Sequence, residues 1–282
     1  MDINISSKQI LVITDLHGNL TLLKKALDKG NKIANYESNL AVILLGDYCD
    51  NGPEIPDLLS FLSEIQLNKG KYLNMIIYPI MGNHDLACLL ALDSKKFNVD
   101  ITNMWWKKWN SRSMIVPSYS TPEQYGLKHK NFNSENFFKI FPKKHYDYLY
   151  NLPWYIKVNK YIFVHSGLFT NIPVEEQLNY LKMKDLSSWK YDNRKYGMPD
   201  QLTNMGKKLN NSSWNYIIVS GHSSFSDGKD FVASNHLKLH SGIQNTLKKK
   251  KKPPNFISLH AALIKTNADN LIDSPPILFE IS

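Results

Sequence analysis

The sequence predicts an α/β fold in which two facing mixed β-sheets are flanked by helices. Three observations predict it. Short apolar, β-branched runs alternate with helix-periodic segments through the first third of the chain. Strand-like runs crowd the last third. Between them, clusters of Asp, Asn and His stand just after apolar runs, where chemistry gathers in open α/β sheets.

The elements follow in order. Ile10-Leu11-Val12-Ile13 reads as a buried strand. Leu20, Leu22, Leu23, Ala26 and Leu27 recur at helical spacing, and Asp28-Lys29-Gly30 offers a stop. Ala41 to Leu45 is a second strand, and Ile55, Leu58, Leu59, Leu62 and Ile65 mark a second helix. Met75 to Ile80 is a third strand, and Leu86 to Leu92 begins a third helix. Asp15, Asp47 and Asn83 are thus about 30–35 residues apart, the length of one βαβ unit, which brings them to one sheet edge.

Residues 95–155 read as a helical, aromatic-rich insertion beside that edge, with Trp105, Trp106 and Trp109 early and a helix around Phe137, Phe138 and Phe141 ended by Pro142. Most of its aromatics are expected to form its own small core, with one or two lining a substrate cleft. Tyr161–Val164, Tyr216–Val219, Leu237–His240, Ile257–Ile264 and Ile277–Ile281 are the later strands. Their close spacing predicts antiparallel pairing, so that a parallel half meets an antiparallel half. No linker splits the chain, and residues 1–282 are expected to form a single domain with 95–155 as its cap.

Composition narrows the function classes. With 282 residues, 43% hydrophobic and 12% aromatic, the chain can bury one large core or two small ones, which excludes a disordered protein. A net charge of +9 attracts anions such as phosphorylated substrates, nucleic acid or acidic membrane surface. The Lys248–Lys252 run contributes to it and reads as a solvated loop, with a localisation or nucleic-acid patch as the alternative. Two cysteines, Cys49 and Cys88, exclude a disulfide framework and point to a reducing compartment. No signal peptide is evident, and no apolar run approaches the roughly 20 residues of a membrane span. The expectation is a soluble, cytoplasmic protein with no transmembrane segment.

The clusters carry the chemistry. They are Asp15-Leu16-His17-Gly18, Gly46 to Gly52, Gly82-Asn83-His84-Asp85, His165-Ser166-Gly167 and Gly221-His222. A carboxylate can bridge two divalent ions while imidazoles and a neutral amide oxygen complete the shells. Asp15 and His17 lie two apart on what reads as an extended segment, so both leave the strand end on one side. Asp47 is the natural bridging ligand, Asn83 adds an oxygen without charge, and His165 and His222 follow later strands. His84 neighbours Asn83, so its side chain is expected to point away from the metal and to serve as general acid, oriented by Asp50. Each cluster alone is weak. Gly-Asp-x-x-Asp-x-Gly followed by Gly-Asn-His-Asp, each after a strand, is specific. His129, His145, His236 and His260 lack such context and read as surface or core histidines. His240 is either a site-edge residue or a plain strand-end histidine.

These motifs resemble those of the calcineurin-like metallophosphoesterases, nearest the branch holding Ser/Thr protein phosphatases, lambda-type phosphatases and diadenosine tetraphosphatases. Weaker echoes are Thr121-Pro122-Glu123-Gln124-Tyr125-Gly126 and Leu152-Pro153-Trp154-Tyr155. The resemblance implies an αββα sandwich and a bimetal site. Asp15, His17 and Asp47 would hold one ion, and Asp47, Asn83, His165 and His222 the other, with His84 and Asp50 as the acid pair. It implies two divalent ions, manganese or else iron with zinc. One departure bears on substrate: Asn51 stands where the family carries a phosphate-gripping Arg, and supplies no bidentate cation. Lys190 or Arg194 is the candidate replacement, with Asn51 and Arg194 the expected substrate-binding residues. The His240-Ser241-Gly242 string takes the place of a late Asp-Thr-Gly.

The expected function is metal-dependent hydrolysis of a phosphoric monoester, with phosphorylated protein as substrate in the manner of a Ser/Thr phosphatase. The alternative is a nucleotide, dinucleoside polyphosphate or nucleic-acid phosphohydrolase. A third reading is a metal-binding interaction protein with weak turnover.

Overall fold

The computed structural model describes residues 1–65, 72–97, 121–127, 133–182, 214–222, 229–240, 243–244, 255–256, 258–267 and 270–282. The chain opens with three βα steps. β1 (Gln9–Ile13) leads to α1 (Leu20–Ile33), β2 (Leu40–Leu44) to α2 (Ile55–Glu64), and β3 (Met75–Pro79) to α3 (Asn83–Leu92). β1, β2 and β3 pair in parallel. Short helices α4 (Thr121–Gln124), α5 (Ser134–Ile140) and α6 (Lys143–Tyr150) follow.

A second sheet comprises β4 (Tyr155–Val158), β5 (Tyr161–Val164), β6 (Ile217–Ser220), β7 (Phe231–Ala233) and β8 (His236–Lys238), in the order β4-β5-β6-β8-β7, with α7 (Val174–Lys182) between β5 and β6. β9 (Ile243–Gln244) and β10 (Asn255–Phe256) form a small antiparallel ladder. The chain then returns to the first sheet, where β11 (Leu259–Lys265) pairs antiparallel with β1 and β12 (Ile277–Ile281) covers its edge.

The division into a parallel and an antiparallel half does not hold. Both sheets are mixed: β5, β6 and β8 run parallel, while β11 and β12 are antiparallel additions to the first sheet. Tight turns join the antiparallel neighbours β4–β5 and β7–β8, and there the close spacing does signal the pairing. β5 reaches β6 by a long crossover through α7, which is what a parallel pair requires.

The continuous apolar runs now have a cause. Ile10, Val12, Ala41 and Ile43 pack between the sheets against Tyr161, Phe163, Ile217, Val219 and Leu237. Leu11, Ile13, Val42 and Leu44 face the opposite way, into the core shared with the helices. A sheet covered on both faces has no polar side to alternate with. α1 also runs past its expected stop. A Cβ on Gly30 would lie 2.5 Å from Leu11 Cδ2, so this glycine lets the helix approach β1 rather than end. Among the described residues, no helix is long and apolar enough to cross a membrane.

Candidate metal centre

The polar clusters meet at one edge of the sandwich, beyond the C-terminal ends of parallel strands from both sheets. Residues 14–18 follow β1, 46–52 follow β2, 82–85 open α3, His165 follows β5 and His222 follows β6. The backbone there is not extended as expected. Asp15 and His17 both have φ of 42°, Asp47 56°, Asp50 61°, Asn51 69° and His222 73°. The left-handed turns begin directly after β1 and β2 because the segments must reverse into α1 and α2, and they still bring the side chains together. Two glycines permit the crowding: a Cβ on Gly52 would lie 1.8 Å from His17 O, and one on Gly82 2.2 Å from Asp47 N.

Asp47 is the hub. Its carboxylate is buried, and Oδ2 lies 3.3 Å from His165 Nε2, 3.6 Å from His17 Nε2 and 4.0 Å from His84 Nε2. Asn83 Oδ1 and His222 Nδ1 lie 2.8 and 3.1 Å from His165 Nε2. Among the described residues, two groups of metal-capable donors result, His17–Asp47–His84 and Asp47–His165–His222. His165 donates from Nδ1 to Leu45 O at 2.7 Å, and His17 Nδ1 faces Cys49 O at 3.0 Å. These carbonyls fix the rings so that Nε2 faces the centre, the outer-shell arrangement of metal-binding histidines. Asp15 belongs to neither group; its carboxylate accepts the backbone N–H of His222 at 2.9 Å and the Thr14 hydroxyl.

The electrostatics agree with a cation site. Burial opposes charge on Asp47, yet His165 and His84 hold its pKa well below the usual carboxylate range. Burial likewise opposes charge on His165, but Asp47 pushes its pKa up to about 9. Burial and the neighbouring His84 lower His17, and burial with His165 lowers His222 well below the ordinary histidine value. A buried carboxylate ringed by imidazoles, with an amide oxygen beside it, is a nitrogen–oxygen donor set suited to manganese, iron or zinc. The residues present fit two divalent ions.

His84 departs from its expected direction. Asn83–Asp85 form the first turn of α3, so neighbouring side chains do not diverge by a half-turn. Asp50 Oδ2 accepts from His84 Nδ1 at 2.9 Å, which leaves Nε2 aimed at the centre. Burial opposes its charge, but Asp47 and Asp50 raise its pKa above the ordinary value. Asp50 is held low by His84 and Thr121 against the opposing effect of burial.

Asn51 sits with its amide 3.2 Å from His17 Nδ1, and among the described residues its buried Oδ1 has no hydrogen-bond partner. Lys190, Arg194 and His129 lie outside the described residues, as do Trp105, Trp106, Trp109 and the Lys248–Lys252 run. Cys49 and Cys88 are free, buried thiols.

Several residues about the site were not singled out from sequence. Asp85 is fully buried and accepts four backbone N–H groups, from Asp47 (2.8 Å), Tyr48 (2.7 Å), Cys49 (3.1 Å) and Gly82 (2.9 Å). Its only sequence signal was its place in the Gly-Asn-His-Asp string. Thr121 bonds Asp50, and Gln124 bonds Gly52 O and Ile55 N–H; the Thr-Pro-Glu-Gln-Tyr-Gly echo was their signal. Lys238 is buried and donates to Ser166 O at 2.7 Å. Burial brings its pKa down to about 8, opposed by Asp15.

The remaining histidines are built into the structure. His145 contacts Tyr125 Oη and Ser60 Oγ, and His236 contacts Ser220 Oγ. His260 stands between Asp230 and Ser258, with the His240 ring 5.0 Å away. His240 is buried two residues beyond β8 and gives its N–H to Asp230.

Known proteins share this plan. The family model described as calcineurin-like phosphoesterase matches residues 8–264. Shewanella-like protein phosphatase 1 of Plasmodium berghei (strain Anka) is 28% identical over 164 residues, which is 57% of this chain and 39% of that protein. The chain therefore spans well under half the length of this curated relative. A protein serine/threonine phosphatase from Saccharomyces cerevisiae shares the fold with a TM-score of 0.55 at 13% identity, over 100% of this chain and 83% of that one. A candidate diadenosine tetraphosphatase shares it with a TM-score of 0.52 at 14% identity, over 100% and 97%. The two mixed sheets, the donor cluster at their common edge and the family match over most of the chain lead to one conclusion: this protein belongs to the calcineurin-like phosphoesterases, and is a hydrolase of that family.

Proposed function

We propose that the protein is a metal-dependent phosphomonoesterase acting on phosphorylated protein, in the manner of a Ser/Thr phosphatase. The observation that carries this reading is the Asp47 carboxylate, buried within 4.0 Å of three imidazoles, one of which is paired with Asp50. Asp15, His17 and Asp47 would hold one ion, and Asp47, Asn83, His165 and His222 the other, with manganese the proposed metal. When bound, such ions would polarise the phosphoryl group and make a water nucleophilic near neutral pH.

The chain's own side chains do the rest. His84 carries a proton on the nitrogen facing the centre and passes it to the leaving alkoxide. Asp50 keeps the opposite nitrogen protonated and stabilises the ring's charge. Asn51 donates its amide toward a phosphate oxygen, and Arg194 is proposed as the cation that the Asn51 position lacks. Residues 95–155 would cap the single domain on the substrate side. Buried free thiols at Cys49 and Cys88 support a reducing, intracellular setting.

A second reading, hydrolysis of a dinucleoside polyphosphate, draws on the fold shared with the candidate tetraphosphatase along nearly its whole length. The test is a single-pot competition between a phosphothreonine peptide and diadenosine tetraphosphate, with manganese-loaded protein and an Asp47→Asn control. Phosphate released first from the peptide, and abolished by Asp47→Asn, is the expected result. Preferred cleavage of the dinucleotide transfers the assignment to the second reading. No cleavage of either by protein shown to bind manganese overturns both and leaves a binding protein.

A further inference from the structure

We propose that Thr121 is a positioning residue for the His84–Asp50 pair, fixing the Asp50 carboxylate so that His84 presents Nε2 to the reacting group. The inference rests on the phosphomonoesterase reading, in which His84 delivers the leaving-group proton.

Thr121 and Asp50 are 71 positions apart, and both are buried. They make three mutual hydrogen bonds. Thr121 N–H and Oγ1–H both donate to Asp50 Oδ1, at 3.0 and 2.7 Å. The Asp50 N–H donates back to Thr121 Oγ1 at 3.0 Å. The hydroxyl's single proton is thus committed to Asp50, while its lone pair secures the Asp50 backbone. With Oδ1 held by two donors, Oδ2 is the oxygen left to accept from His84 Nδ1 at 2.9 Å. The carboxylate cannot rotate without breaking bonds at both oxygens.

The threonine is itself braced. On the same turn, Gln124 donates to Gly52 O at 2.5 Å and accepts the Ile55 N–H at 2.9 Å, so α4 grips the loop on both sides of Asn51. Next along, Tyr125 Oη lies 2.6 Å from His145 Nδ1, and His145 Nε2 lies 2.9 Å from Ser60 Oγ on α2. The orientation of the acid pair therefore passes through α4 into α6 and α2. A threonine serving only the short helix would not spend its proton on a distant carboxylate.

Thr121→Val keeps the shape and the backbone N–H but removes both hydroxyl bonds, while Thr121→Ser restores them. The kinetic readout is leaving-group dependence. A phosphoserine peptide expels an alkoxide that needs the acid, whereas 4-nitrophenyl phosphate expels a stable phenolate that needs it little. Thr121→Val is expected to lower kcat on the peptide about tenfold, part of the roughly 10²–10⁴-fold a positioned acid contributes, with KM unchanged. The aryl rate should hold within about twofold, and Thr121→Ser should recover the peptide rate.

The second readout is independent of turnover. In metal-free protein with ¹⁵N-labelled histidine, the His84 Nδ1–H should give a slowly exchanging imidazole resonance that Thr121→Val broadens and Thr121→Ser keeps. Equal loss on both substrates, or an unchanged His84 resonance, overturns the proposal. If the unmodified protein hydrolyses neither substrate, the phosphomonoesterase reading fails and the resonance alone decides whether Thr121 positions His84. Should Thr121→Val not fold by circular dichroism, Thr121→Cys replaces it in both readouts.

Discussion

Replacing Asp85 by Asn tests how the buried Asp47 is held. The carboxylate sits at the start of α3, fully buried, with every bond directed at the backbone of the two motif loops. Oδ1 accepts Tyr48 N–H at 2.7 Å and Cys49 N–H at 3.1 Å; Oδ2 accepts Asp47 N–H at 2.8 Å and Gly82 N–H at 2.9 Å. Burial and the nearby Asp47 push its pKa up to about 6, so at pH 7 it is still mostly carboxylate, the form that accepts all four. An amide of the same shape keeps one oxygen and turns its NH₂ group against the other two N–H donors. Two hydrogen bonds to a charged acceptor are lost, at roughly 1.5–3 kcal/mol each, so the variant should be about 3–6 kcal/mol less stable. Urea unfolding of the metal-free protein measures this as a lower midpoint at unchanged slope. Manganese titration should also show weaker binding, because the bond at Asp47 N–H stabilises the left-handed backbone that presents its carboxylate. A stability loss below about 1 kcal/mol together with unchanged manganese affinity would refute the reasoning.

Other expectations are as direct. Gly82→Ala places a Cβ 2.3 Å from Asp47 Oδ1, and should abolish manganese binding by titration while far-ultraviolet circular dichroism stays native-like. Gly30→Ala sets a methyl 2.5 Å from Leu11 Cδ2 inside a packed core, so overpacking of about 1–3 kcal/mol should exceed the helix-propensity gain and lower the urea midpoint. His145 is pushed down from 6.5 to about 4, by burial first and Lys144 second, so the unfolded chain binds its proton more readily. Its contribution to stability is therefore full above pH 6.5 and is lost as pH falls toward 4. A His145→Gln variant should show a shallower stability decline over that window, measured by urea unfolding at stepped pH.

Much of this was legible because the two sheets impose their periods on the sequence. β1 and β2 are buried on both faces and so read as unbroken apolar runs, while β3, at the sheet edge, leaves Ile76 exposed; the metal-capable residues follow these strands at the ends. What was hidden depended on long-range pairing. Nothing local marks Leu259–Lys265 as the neighbour of β1, since that register is set by contacts some 250 positions away. Gly30 looks like a helix stop until Leu11 is seen beneath it. Thr121 and Lys238 carry no recognisable chemistry alone; their roles come from Asp50 and Ser166, each about 70 residues distant. His84 was expected to point away from the metal because it adjoins Asn83, yet on the first turn of α3 its Nε2 comes within 4.0 Å of Asp47 Oδ2.

The strain at the centre has a distribution that argues for its purpose. Asp15, His17, Asp47, Asp50, Asn51 and His222 all take positive φ, and every one belongs to a motif loop. Elsewhere among the described residues, positive φ outside glycine falls on Asn35, Tyr36, Asn39 and Asn159, mostly asparagines that tolerate it. A left-handed residue other than glycine costs on the order of 1 kcal/mol or more, and glycine at these points would be easier on the backbone. Glycine would also delete the side chain, and here the side chains are what the turn delivers. The surroundings oppose the strain with named contacts: Asp85 on the Asp47 N–H, the Asp15 carboxylate on the His222 N–H, and Thr121 on the Asp50 N–H. Each strained loop is thus held by an oxygen from another segment, so weakening one brace should loosen a donor without unfolding the sheet beneath it. Cations that bind only the assembled donors would add to the same stabilisation by linkage, and the metal-loaded protein should tolerate loss of a brace better than the metal-free one.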